Sequence, residues 1–243
     1  MSEEKSKEPI IDNDWGCLHS EYLYKDADQA IKACLVKVER IDFIANQLVK
    51  AVLDTSWIMS MDYGTQLSYD YTAKETADVL VNIFKTVKDK NSLGDEFGEV
   101  MVSIGSSRAL NQLLKHVSLP IAELWKPQVK QNEGFDFHTV CENNLINFGE
   151  AKFSASINPH GNALTQAVRF LEHQKHHRDR VHLVNLVKEE AIVNLDKKDF
   201  GIVAAFSINS DNCEKILDNA IKTVREMEIS KVSKFIYLVG VKC

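Results

Sequence analysis

Residues 134–153 read GFDFHTVCENNLINFGEAKF. Two apolar-rich runs flank Cys141, Glu142, Asn143 and Asn144, and a polar break between strand-like runs is a hairpin signal. Asp136 interrupts the first run, Glu150 and Lys152 the second. A turn centred on Asn143 sets Asp136 across from Glu150, because the two are equally far from it. Side chains alternate along a strand, so Glu150 and Lys152 share that face. Two carboxylates and an ammonium then converge on one patch.

Charges inside an apolar sheet are costly unless paired or bound to a metal. Two carboxylates suit Mg²⁺, with Mn²⁺ as a substitute, because such ions take oxygen ligands and keep several waters. Lys152 beside them can orient a water or neutralise charge on a phosphoryl oxygen, as metal-assisted phosphodiester hydrolysis requires. The same spacing also fits an exposed hairpin whose charges pair across strands, a weak interaction. An acidic residue two before a lysine recurs at Glu3 and Lys5 and at Asp196 and Lys198. Only Glu150 and Lys152 end an apolar run opposite another carrying an aspartate.

Working outward, 243 residues with 44% apolar side chains suffice for a globular core. With 35 acidic against 29 basic residues the net charge is −6, so contact with nucleic acid must be local or delivered by a partner. Five scattered cysteines without a CxxC pair argue against a zinc ribbon or a disulfide framework and fit a reducing, cytoplasmic setting. A charged N-terminus and the lack of a long apolar run predict neither a signal peptide nor a membrane span.

Apolar spacing predicts helices from Ala30 to Ala51, Lys74 to about Lys88, Asp95 to Val117 with a break near Gly105, Ala163 to about Lys175, and Cys213 to Met227. Residues 31–39 fit a strand equally well, and 56–72 read as irregular with short helical turns allowed. Short strands are expected at 119–125 and 235–241, and FGIVAAFSI (200–208) reads as a central strand. These elements predict an α/β chain: a mainly helical portion over 1–90, then a core over 91–243 with a central sheet flanked by helices.

The helix before the hairpin carries Glu96 and Glu99, and Glu99 is the favoured further metal ligand. Gln166, one turn into the following helix, could hold a phosphate or a water. His173, His176, His177 and His182 lie among Lys175, Arg178 and Arg180, which would repel a metal cation and favour phosphate, or simply form a solvated loop. His138 shares the face of Asp136, as a neighbour of the metal site or a hydrogen-bonded core residue.

Asp136, then Glu150-Ala151-Lys152 after thirteen residues, in the order helix, strand, strand, strand, helix, strand, resembles the PD-(D/E)xK nuclease core. The resemblance implies Asp136 and Glu150 as metal ligands and Lys152 as the catalytic lysine; Phe135 stands where the family has proline. More narrowly, GFDFHT, INFGEAKFS, the NxAxxQA helix start and FGIVAAF are similar to the HamA nuclease subunits of Hachiman anti-phage systems and the related AbpA proteins. The similarity spans roughly 90–243. It implies a DNA nuclease restrained and activated by a superfamily 2, HamB-like DNA helicase. A nuclease-like scaffold subunit that no longer cleaves is the alternative.

Overall fold

The computed structural model describes residues 8–25, 27–90, 94–126 and 134–243, with the backbone alone over 86–90. Among these residues eight strands form one mixed sheet: β1 (Ile10–Asp12), β2 (Cys17–Tyr22), β3 (Ile31–Val38), β4 (Val117–Ser118), β5 (Phe137–Val140), β6 (Ile146–Lys152), β7 (Gly201–Ile208) and β8 (Phe235–Lys242). Their spatial order is β1-β2-β3-β8-β7-β6-β5-β4. The four central strands run parallel, and an antiparallel pair flanks them on each side. The α/β class expected from the sequence is therefore present.

Among the described residues seven helices accompany the sheet: α1 (Ile41–Leu53), α2 (Tyr63–Lys90), α3 (Asp95–Leu114), α4 (His160–Glu172), α5 (Lys175–Leu183), α6 (Glu189–Asp196) and α7 (Cys213–Glu226). α3 packs across β6, β3 and β8, while α4 and α7 pack on the same strands from the opposite face. β7 is buried along its whole length, as a strand covered on both faces must be, which is why it reads as an unbroken apolar run.

Several expectations are corrected. Residues 10–38, placed in a mainly helical portion, supply three strands to the common sheet before α1 and α2 follow. The helix expected from Ala30 begins only at Ile41 as α1, and the strand that 31–39 fitted equally well is present as β3. In the segment read as irregular with short helical turns allowed, a short 3₁₀ turn is present, but from Tyr63 the chain is already the regular helix α2. α3 passes through Gly105, Ser106 and Ser107 without a break because all three are buried where the helix meets the sheet, and tertiary packing outweighs their weak propensity. The strand expected at 119–125 is β4 two residues earlier and then a 3₁₀ turn at Ala122–Leu124, since Pro120 offers no ladder donor. The basic cluster is not a loop but α5. No helix among the described residues is long and apolar enough to cross a membrane.

Candidate active site

The hairpin forms as its spacing dictates. β5 and β6 pair antiparallel with Phe137 opposite Gly149, Thr139 opposite Asn147 and Val140 opposite Ile146. In the turn, the Asn144 N–H donates to the Cys141 carbonyl at 2.9 Å, and Asn144 adopts a left-handed φ of 53°, which asparagine tolerates better than most residues.

Regular pairing stops one residue short of Asp136. There the chain bends: the Asp136 N–H donates to the Gly149 carbonyl at 2.8 Å, and its carboxylate accepts the Ala151 N–H at 2.7 Å. Asp136 thus holds the end of β6 through its side chain. Glu150 and Lys152 share the face of β6 that α4 covers, because they pair with Ala204 and Phe206, and Phe206 touches His160 of α4.

Glu150 is fully buried. The Lys152 ammonium forms an ion pair with its Oε1 at 2.9 Å, and beyond that contact neither carboxylate oxygen has a hydrogen-bond partner among the described residues. Burial, then the nearby Asp136 charge, pushes the Glu150 carboxyl well above its usual range despite Lys152. Asp136 rises to about 6, mainly through burial, with the Ala151 hydrogen bond and Lys152 opposing. Burial alone would lower Lys152, but Glu150, Asp136 and Glu99 outweigh it and hold the ammonium above its ordinary value.

Of the two helical candidates, Glu99 reaches the cluster, with Oε1 3.7 Å from the Lys152 ammonium; Glu96 is exposed. Glu99 stands there because its neighbour is glycine: a Cβ on Gly98 would strike the Phe153 ring, so α3 lies directly on the chain leaving β6. Gln166 is half-buried on α4, and among the described residues no hydrogen bond links it to Asp136, Glu150 or Lys152.

One member of the site escapes the sequence reading. Glu123 lies in the 3₁₀ turn before the hairpin, which the Ala122 N–H ties to the Asp136 carbonyl at 2.9 Å. Its Oε2 is buried without a partner. Burial and then the Asp136 charge raise its carboxyl to about 7. Nothing periodic marks this glutamate; the tertiary hydrogen bond places it.

His138 is a core residue: its Nε2 meets Asp179 of α5 at 2.9 Å, and Lys126 meets the other Asp179 oxygen at 2.8 Å. Lys126 also donates to the Phe135 carbonyl at 2.9 Å. This network clamps α5 and the chain after Glu123 onto the strand that presents Asp136. His182 is likewise structural, bonded through Nδ1 to the Tyr69 hydroxyl at 2.8 Å.

Asp136 and Glu150 offer hard oxygen donors, and Oε2 of Glu150 and of Glu123, each buried without a partner, are oxygens that a divalent cation would satisfy. Among the described residues, however, no three His, Cys, Asp or Glu side chains already stand in metal-binding geometry. The ammonium of Lys152 lies against Glu150, where a cation would also be drawn. No known family model matches the chain, and neither a curated protein nor a solved structure matches it.

Proposed function

We propose that this chain is a Mg²⁺-dependent DNA nuclease with a PD-(D/E)xK core, in which Asp136 and Glu150 hold the metal with Glu99 nearby. The observation that carries the reading is Glu150: a fully buried carboxylate whose one polar contact is the Lys152 ammonium, beside a second raised carboxylate. Such an arrangement costs stability unless a cation is meant to enter. Bound Mg²⁺ would supply Lewis-acid polarisation and an activated water. Lys152 would orient that water and neutralise charge on the phosphoryl oxygen. Asp136 is held for its task by the Ala151 N–H, and Gln166 would contact phosphate from α4. The resemblance to HamA proteins adds the setting: an effector of bacterial anti-phage defence, held inactive by a HamB-like helicase until that partner engages DNA.

A second reading, a nuclease-fold scaffold that binds its helicase without cleaving, is favoured by one observation. Lys152 already pairs with Glu150, and no preformed group of three metal ligands is present among the described residues.

The test compares wild type, Glu150→Ala and Lys152→Ala on plasmid and linear DNA with Mg²⁺, with and without the helicase. The nuclease reading expects each variant to lose at least about a hundredfold in rate. Equal degradation by all three would remove the assigned site, and no cleavage under any condition would leave the scaffold.

A further inference from the structure

At the other end of the face that carries Glu150, a groove of about 600 Å³ opens between the end of α4, the start of α5 and the chain entering β8. Its lining includes His176, His177, Lys198, Lys231 and Lys234, with Phe200 as an apolar floor and Glu172 as its one carboxylate among the described residues. In a protein of net charge −6, this is a local concentration of positive and imidazole groups.

The groove is built rather than a chance gathering of surface lysines. His176 is 7% exposed. Its ring packs 5.2 Å from Phe200 and 4.1 Å from His177, and its buried Nδ1 has no hydrogen-bond partner. Burial, then His177, keeps this imidazole neutral near pH 7, with its value lowered to about 4. A neutral ring can still donate an N–H to an anion. Lys198, exposed in a left-handed turn with φ 65°, has no carboxylate partner among the described residues. Lys231 and Lys234 pair with Glu228 at 2.6 Å and Asp199 at 3.1 Å, but both pairs are solvent-facing and contribute little, so either lysine can turn to a ligand.

We propose that this groove is an anion site for phosphate groups, taking the phosphodiester backbone of a polynucleotide strand through Lys198, Lys231 and Lys234, with His176 as the buried donor. The polymer rests on the nuclease reading; the phosphate chemistry does not. Phe200 precedes the partner of Glu150 on β7 by four residues, which separates groove and carboxylates by roughly 13 Å along the strand. Phe148, two residues before Glu150, touches both Phe200 and His176. A strand held in the groove would therefore be held at a distance from the carboxylates, which themselves repel phosphate.

The experiment measures binding of a fluorescein-labelled single strand and of a labelled duplex by anisotropy in EDTA, with orthophosphate and pyrophosphate followed separately by thermal shift. Lys198→Glu combined with Lys234→Glu should weaken polynucleotide binding at least tenfold and flatten its salt dependence. Lys222→Glu, an exposed lysine of α7 paired with Glu226, should change neither. His176→Phe keeps a ring against Phe200 and should still lose affinity, which separates the donor from packing. Equal affinity for wild type and the double variant, or no binding of any probe, overturns the site. Binding of orthophosphate or pyrophosphate without the strands keeps the phosphate site and overturns the polymer. Loss of cleavage in Glu150→Ala together with unchanged binding in the groove variants would sink the groove and spare the nuclease. Groove-dependent binding with no cleavage under any condition would do the reverse.

Discussion

Asp12 on β1 and Glu150 on β6 are both buried carboxylates facing a basic side chain in one sheet, but they sit in opposite electrostatic conditions. Asp12 accepts the Arg108 Nε–H at 2.8 Å and the Trp15 N–H at 3.3 Å, and His19 Nε2 stands 3.4 Å away. Burial would raise its carboxyl, but Arg108, His19 and Trp15 outweigh burial and hold it below the ordinary 3.8. Glu150 has the Lys152 ion pair and no further hydrogen-bond partner, with Asp136 pushing the same way as burial. A chain that satisfies one buried acid and leaves the other with a single ion pair makes the second the candidate ligand position of the proposed nuclease.

The largest effect should come from breaking the satisfied end. Asp12→Ala leaves Arg108 and His19 without their shared partner and is expected to cost about 3 kcal/mol of stability, the low end for a broken buried pair because Arg108 is partly exposed. Urea unfolding measures it. A loss well under 1 kcal/mol would mean that Asp12 is held no better than Glu150, and the contrast would collapse.

A somewhat smaller effect follows from pH. His116, 1% exposed, bonds to Thr139 through Nδ1 at 2.9 Å and packs edge-on against Tyr237. Burial lowers its pKa from 6.5 to about 4. The folded chain thus refuses a proton that the unfolded chain accepts, so stability is present above 6.5 and is lost as pH falls towards 4. Between about pH 7 and about pH 5 this amounts to roughly 2 kcal/mol. His116→Gln should remove that part of the acid slope in denaturation curves. Asp12, with its lowered value, adds its own loss only below about 3.8. An unchanged slope in His116→Gln would show that the ring is protonated in place.

The hairpin was legible because turn, register and charge spacing are all local: Asn143 and Asn144 mark the turn, and the pairing of Phe137 with Gly149 is the one that equal arm lengths require. β7 was legible because a strand covered on both faces has no polar alternation. Glu123 was not, since only the hydrogen bond from Ala122 to Asp136 brings its turn to the site. The Asp12 cluster was equally hidden, because Arg108 reaches it from α3, ninety-six residues away. β1 and β2 were missed for a different reason: CLHSEY, beside the three-residue edge strand β1, alternates weakly, and its strand character comes from pairing with β3. Local spacing marked the carboxylates proposed to hold a metal, whereas the acid that already has its partners depends on contacts far apart in the chain.

The smallest effect is also the most discriminating. Replacing Glu150 with Gln keeps the shape and removes a desolvated charge, so without metal the variant should be as stable as wild type or more stable by about 1 kcal/mol. Lys152 keeps Glu99 within 3.7 Å and is itself partly exposed, so it is not stranded as Arg108 would be. Mg²⁺ at several times its dissociation constant should then raise the melting temperature of wild type by the equivalent of about 1 kcal/mol. It should leave Glu150→Gln and Asp136→Asn unmoved, and Glu123→Gln should keep part of the response, because that residue flanks the pair without touching Lys152. Asp12→Ala, though far less stable, should respond to Mg²⁺ as fully as wild type. If instead Glu150→Gln unfolds as readily as Asp12→Ala and Mg²⁺ shifts none of them, Glu150 is the structural partner of Lys152, and the two buried acids of this sheet do the same work.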